Sequence, residues 1–283
     1  MADLKFITQD ELKHIIKSKK TNDVIIFLSG PTSRNTPLEI LHRNDVITVN
    51  GSASYLLDNG ISPFIYTLTD ARFLHQRRED FYYFSRNSRF TIVNLDVYEE
   101  ASAEDQKYIR ENCFILRSFY KREKGGAWKK LKLSTFSVLH RELLIKVPAS
   151  RKKRLVGFSR DISLGYCSCH TIAYTAIQIA YSLKYQRIIC SGLDLTGDCR
   201  RFYDESNNPM PSELSKDLFK ILPFFRFMRE NVKDIAIFNL SDDTAIDYKI
   251  IPYMSSEVLL GKSDEALNSN VVKLKPPLDT LAG

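Results

Sequence analysis

No stretch of this 283-residue chain approaches the roughly 18 consecutive apolar residues that a membrane-spanning helix needs. The opening Met1-Ala2-Asp3-Leu4-Lys5 has no apolar signal core and leads toward a capped helix, so no export signal is expected. Cysteine is sparse and odd in number: five residues, at 113, 167, 169, 190 and 199. That fits the reduced thiols of a cytosolic compartment better than a disulfide framework. In Cys167-Ser168-Cys169-His170 the paired thiols are one residue apart, whereas structural zinc wants two to four between them and a second ligand pair, which is lacking. The run reads instead as a loop entering a helix, with Ser168 or Thr171 as its cap. Histidine ends at His170, and no internal repeat is visible.

What is present is ordinary for a globular protein, 43% hydrophobic and 27% charged, in a length that suits one large domain with an insertion. The charge, however, is uneven. Between Arg117 and Arg160 stand 14 Lys or Arg against only Glu123 and Glu142, a balance of +12. The remainder carries 27 basic and 32 acidic residues. The basic segment is interleaved with Phe119, Tyr120, Trp128, Leu131, Leu133, Phe136, Leu139, Leu143 and Leu144. Nucleic acid is the obvious partner for such a run and a solvated loop would bind nothing, yet basic residues mixed with Leu and Trp also suit an anionic bilayer surface.

Outside this segment, short apolar runs alternate with helical patterns. Thr8-Gln9-Asp10-Glu11 has the form of a capping box. Strands are expected at 24–28, 46–49, 64–68, 90–93, 114–116, 188–190 and 235–238. Helices are expected from Ser52 toward Leu57, closed by Asn59-Gly60, and over 103–112, about 170–183 and 213–231. This is the signature of βαβ units: an α/β chain with a doubly wound, Rossmann-like, mostly parallel sheet. Its expected parts are residues 1–116 as the first half of the α/β domain and 117–160 as the basic insertion. Residues 161–262 form the second half, and 263–283 a flexible tail.

Two strands run straight into Ser-Gly turns, Ser29-Gly30-Pro31-Thr32 and Ser191-Gly192-Leu193-Asp194. In parallel α/β sheets ligands bind beyond the carboxyl ends of strands, where glycine lets backbone N–H groups approach a phosphate. The strand ends are rich in small hydroxyls and amides: Ser29, Thr32, Asn50, Thr69, Asn94, Ser191 and Asn239, with only Asp70 and Asp194 acidic. Such groups hydrogen-bond a base edge, ribose or phosphate without repelling it, and no divalent metal site is indicated. Asp70-Ala71-Arg72-Phe73-Leu74-His75-Gln76-Arg77-Arg78 adds cations that could hold a sugar carboxylate or a departing phosphate.

The blocks Val24 to Thr32, Asn50 and Ile188 to Asp194 resemble the single-domain bacterial CMP-sialic acid sialyltransferases. A closer resemblance is to the WaaZ family of lipopolysaccharide core biosynthesis proteins. It runs through Val24 to Arg34, Arg77 to Phe81, Phe90 to Tyr98, Gly165 to Thr171 and Pro211 to Asp247. It implies a glycosyltransferase that moves Kdo (3-deoxy-manno-octulosonic acid) from CMP-Kdo to Kdo on a lipid A–core acceptor, with no other cofactor. It also implies an enzyme lying peripherally on the cytoplasmic face of the bacterial inner membrane. The two resemblances agree, because Kdo and sialic acid are both 2-keto sugar acids carried on CMP. They assign donor contacts to Ser29, Gly30, Thr32, Asn50, Thr171, Ser191, Gly192, Asp194 and Tyr203. The sialyltransferase histidine base falls where this chain has Pro211-Ser212-Glu213-Leu214-Ser215-Lys216, so Glu213 is its positional substitute, with His75 and Asp70 as rivals. The lost histidine, together with Ser29 in place of an asparagine, also admits a non-catalytic partner of core-assembly enzymes with a degraded nucleotide cleft.

Overall fold

The computed structural model describes residues 4–120, 127–148, 155–196, 201–203 and 214–261. The seven expected strands form one parallel sheet. Helix α1 (Gln9–Lys17) opens the chain, with Thr8 as N-cap and Glu11 completing the capping box. Five strands follow, separated by helices: β1 (Asp23–Phe27), β2 (Asp45–Val49), β3 (Ile65–Leu68), β4 (Phe90–Asn94) and β5 (Phe114–Leu116). The intervening helices are α2 (Leu38–Arg43), α3 (Ala53–Asp58), α4 (Ala71–Gln76), α5 (Arg78–Arg86), α6 (Leu95–Glu100) and α7 (Ala103–Asn112). Helix α3 stops as its sequence directs. Gly60 takes φ +71°, and the Ile61 N–H reaches back to the Leu56 carbonyl at 2.8 Å.

The segment 117–160 forms β6 (Ser118–Tyr120), α8 (Ala127–Leu139), β7 (Leu143–Lys146) and β8 (Val156–Ser159). These elements were not expected from the sequence, whose charge masks the short apolar pattern. Strands β7 and β8 pair antiparallel, and β6 pairs with β9 (Tyr166–Cys167). Phe158 of β8 is fully buried edge-on against Tyr174 and Tyr181, so this end of the segment belongs to the main core. The chain then returns to the large sheet through α9 (Ile172–Ser182), β10 (Arg187–Ser191), α10 (Leu214–Asn231) and β11 (Ala236–Asn239). It closes on α11 (Ser256–Leu259).

Strand order is β11-β10-β1-β2-β3-β4-β5, every pairing parallel. Both faces are apolar. Val24, Ile26, Ile47 and Ile188 pack with α1 and α9, while Ile25, Phe27, Val46 and Ile189 pack with Ile40, Leu41 and Leu56. A parallel strand covered on both sides must be apolar throughout, which is why these runs were legible. Helix α9 is buried from Ala173 to Ser182. Its Gln178 side chain accepts from the Ser159 and Cys167 N–H groups, both at 2.9 Å, and donates to the Cys167 carbonyl at 3.0 Å. One buried amide thereby fastens α9 to β8 and β9. From β1 the sheet grows one way to β5, and β10 and β11 add on the other side. The order therefore reverses between β1 and β10, and this switch point is where an open α/β sheet forms its binding crevice.

Candidate active site

A cavity of about 710 Å³ opens at the carboxyl ends of the strands, astride that switch point. The two Ser-Gly turns form its floor and interlock. A methyl group on Gly30 would collide with the Gly192 carbonyl and the Asp194 carboxylate, and one on Gly192 would lie 2.8 Å from the Ser33 Cβ. Gly192 also sits at φ +74°, where only glycine is unstrained. Turn-on-turn packing by itself demands glycine at both positions. Asp194 clasps the pair. Its carboxylate accepts from the Thr32 N–H at 3.0 Å, from the Thr32 hydroxyl, and from the Ser241 hydroxyl at 2.5 Å. Ser191 is buried beneath the floor, its hydroxyl 2.8 Å from that of Thr36.

Next to this floor, Asn50 ends β2 in the left-handed region at φ +46°, a conformation that Asn tolerates better than most side chains. Its Oδ1 is buried without a hydrogen-bond partner although the residue lines the cavity. A buried acceptor left unpaired costs about 1–3 kcal/mol, and a donor on a bound ligand would remove that cost. Tyr203 does not line the cavity. It packs against the backbone of Gly51, where a Cβ would lie 2.7 Å from its ring, and beneath the Arg77 guanidinium. Its neighbour Phe202 is anchored by an N–H bond to the Ser29 carbonyl at 3.0 Å and by contact with Phe27 and Tyr55.

The opposite rim carries Thr69, Asp70, Arg72, Asp96 and Glu100. Asp70 caps α4 and accepts from Arg72 through both oxygens, at 3.0 and 2.8 Å. The rest of the expected cationic cluster disperses. Arg77 bonds Asp80, Arg78 bonds Asp105 on α7, and His75 is exposed on α4, outside the cavity lining. Glu213 lies outside the described residues.

The remaining wall comes from the loop before α9 and the first turns of α10. Thr171 caps α9, accepting from the Ala173 N–H at 3.3 Å, and also lines the cavity. Beside it His170 Nδ1 is hydrogen-bonded to Asp217 of α10, and the other oxygen of Asp217 is bonded by Lys220. His170 and Asp217 both line the cavity, each side chain only 14% exposed. Burial raises the Asp217 pKa, but the bonds and charges of Lys220 and His170 outweigh it and hold the carboxyl below its ordinary value. Sequence reasoning missed this pair. The only local signal was a histidine set directly before the cap of an apolar helix. Among the described residues no group of three or more His, Cys, Asp or Glu could hold a metal ion.

Of the donor contacts expected from the sequence, Ser29, Gly30, Thr32, Asn50, Thr171, Gly192 and Asp194 line this one cavity, and Ser191 and Tyr203 stand behind it. The chain matches the family described as 3-deoxy-D-manno-octulosonic acid transferase WaaZ over residues 6–257. It is 68% identical over 259 residues to a probable 3-deoxy-manno-octulosonic acid transferase of Salmonella typhimurium, covering 92% of this chain and 96% of that one. A protein of the same description from Escherichia coli K12 is 62% identical over the full length of both chains. A MAf glycosyltransferase structure from Magnetospirillum magneticum AMB-1 aligns with 85% of this chain at TM-score 0.44 and 14% identity, and the chain spans about a third (34%) of its length. A parallel sheet with its cleft at the switch point, in a chain matched from end to end at this identity, belongs to the WaaZ family of 3-deoxy-D-manno-octulosonic acid transferases.

Proposed function

We propose that the protein transfers Kdo from CMP-Kdo to a hydroxyl of Kdo on the lipid A–core acceptor, working at the cytoplasmic face of the inner membrane. The observation that carries this reading is the orphaned Asn50 Oδ1 in a cavity floored by hydroxyls and turn backbone. A cytidine amino group or a ribose hydroxyl supplies the donor that Asn50 lacks. Ser29, Thr32, Thr171 and the backbone of Gly30 and Gly192 stabilise the phosphate that gains charge as CMP departs. Asp194, in the same lining, clasps Thr32, while Ser191 and Tyr203 stand behind the cavity. Arg72, paired with Asp70, and Arg201 both stand on the cavity wall, where a guanidinium can face the sugar carboxylate.

Membrane contact is assigned to α8. Leu131, Val138 and Leu139 are 59%, 76% and 73% exposed there, in the segment whose charge balance is +12. Aliphatic side chains among cations suit the headgroup boundary of an anionic bilayer, where a lipid acceptor resides.

Purified protein incubated with CMP-Kdo and Kdo-lipid A should release CMP and yield an acceptor heavier by one Kdo. CMP binding without acceptor-dependent release would instead identify a partner protein with an inactive cleft.

A further inference from the structure

The neighbourhood of His170 differs from those of Asp70 and Asp194, which also line the cavity. Asp70 already accepts from the Arg72 guanidinium through both oxygens, and Asp194 accepts from Thr32 and Ser241. Their lone pairs serve the fold. A histidine whose Nδ1 faces a carboxylate is different, because the bond selects the tautomer protonated at Nδ1 and makes Nε2 the basic nitrogen. The carboxylate partner stays ionised, since Lys220 and His170 bond it from two sides. Both members sit on rigid supports. His170 directly precedes the N-cap of α9, which is buried along its length. Asp217 lies in the first turns of α10, whose Phe224 and Phe225 pack edge-on against Tyr174 of α9. The imidazole orientation is therefore fixed by the packing of two core helices, as catalytic precision requires.

We propose that His170 is the general base of the transfer and that Asp217 is its positioning residue. The assignment rests on the reading of the cavity as a Kdo transferase site. In the step itself the acceptor hydroxyl oxygen forms the new bond to the anomeric carbon of Kdo. The bond from that carbon to the CMP phosphate oxygen breaks, and its electron pair leaves with CMP. The hydroxyl proton passes to His170 Nε2. The imidazolium formed is stabilised by the Asp217 carboxylate until it releases the proton to solvent. Lys220 on the second oxygen keeps Asp217 from taking the proton itself.

The base is thus delivered from the loop before α9, and it meets α10 through Asp217.

The decisive variant is His170→Asn, whose amide still donates to Asp217 but has no basic nitrogen. Its kcat should fall by about 10²–10⁴ while CMP affinity by calorimetry and thermal stability match the parent. Asp217→Asn, which cannot fix the Nδ1-protonated tautomer, should lose about 10² in kcat, and Asp217→Glu should recover part of it. His170→Ala provides a second removal of the base if the amide disturbs the loop. Turnover of His170→Asn and His170→Ala at the parent rate would overturn the proposal. So would a loss of kcat fully matched by loss of CMP affinity, or full activity in Asp217→Asn. Turnover of CMP-Kdo by the parent reports on the donor assignment, and the ratio of variant to parent reports on the dyad, so the two fail separately.

Discussion

Asn50 is held in a left-handed backbone with its carbonyl oxygen buried and unbonded. Both features cost stability, and a bound nucleotide offsets one of them. Asn50→Gly relieves the backbone and deletes the amide. It should leave the melting temperature unchanged or higher while weakening CMP by about 1 kcal/mol, roughly fivefold, by calorimetry. Asn50→Asp keeps the acceptor oxygen and should bind better than the glycine variant. Equal CMP affinity in all three proteins would remove Asn50 from the site. That the turn residues around it share one end of the sheet was legible in the sequence, since each Ser-Gly pair directly follows a buried apolar strand. His170 and Asp217 were not, because they stand 47 positions apart and only the packing of two helices brings them together. The interlocking of Gly30 with Gly192 was not legible either. Their neighbours across the switch point are each other, a fact no local pattern carries.

At the scale of elements, α5 and α7 are joined by a polar clasp. Arg78 Nε and the Tyr82 hydroxyl donate to Asp105 Oδ1 at 2.6 and 2.7 Å, and the cap residue Ser102 donates to Oδ2 at 2.6 Å. Burial raises the Asp105 pKa, but the bonds from Ser102, Tyr82 and Arg78 outweigh it and leave the carboxyl below its ordinary value. A folded-state pKa lowered in this way contributes stability that is fully present above the unfolded carboxylate value, near 3.9, and is lost as pH falls through the folded value. Asp105→Asn should therefore lower the melting temperature at pH 7 and flatten its dependence on pH below about 4. A parallel acid limb in parent and variant would show that the clasp carries no linkage. The sequence displayed the seven strands of the large sheet and α7 to within about a residue, because buried parallel strands are apolar throughout and α7 starts at a serine cap. It did not display α2, α5 or α6, which are six to nine residues long with too few turns for a periodicity.

For the whole molecule, the separation of charge and cavity bears on the proposed membrane contact. A mildly acidic body carries one basic segment with exposed aliphatic side chains on α8. Leu131→Ser, Val138→Ser and Leu139→Ser together should release the protein from anionic liposomes while leaving CMP affinity intact. Arg151, Lys152, Lys153 and Arg154 lie outside the described residues, and their reversal to Glu should do the same at low salt. Sedimentation of both variants with liposomes at the parent level would exclude this segment as the membrane contact.

The pairing of β1 with β10 has a consequence for how the protein is made. Asp23 stands opposite Arg187 in register, and their ion pair joins residues 164 positions apart. Until β10 has left the ribosome, β1 is the naked margin of a half-built sheet, with the hydrogen-bonding groups of Val24 to Phe27 open to any extended chain. At about 5–20 residues per second that exposure lasts on the order of ten seconds. The nascent protein is most prone to self-association in that interval. The cavity floor, made where the two turns lock, cannot exist before it ends, so newly synthesised chains gain the proposed CMP site only when about two thirds of the polypeptide is in place.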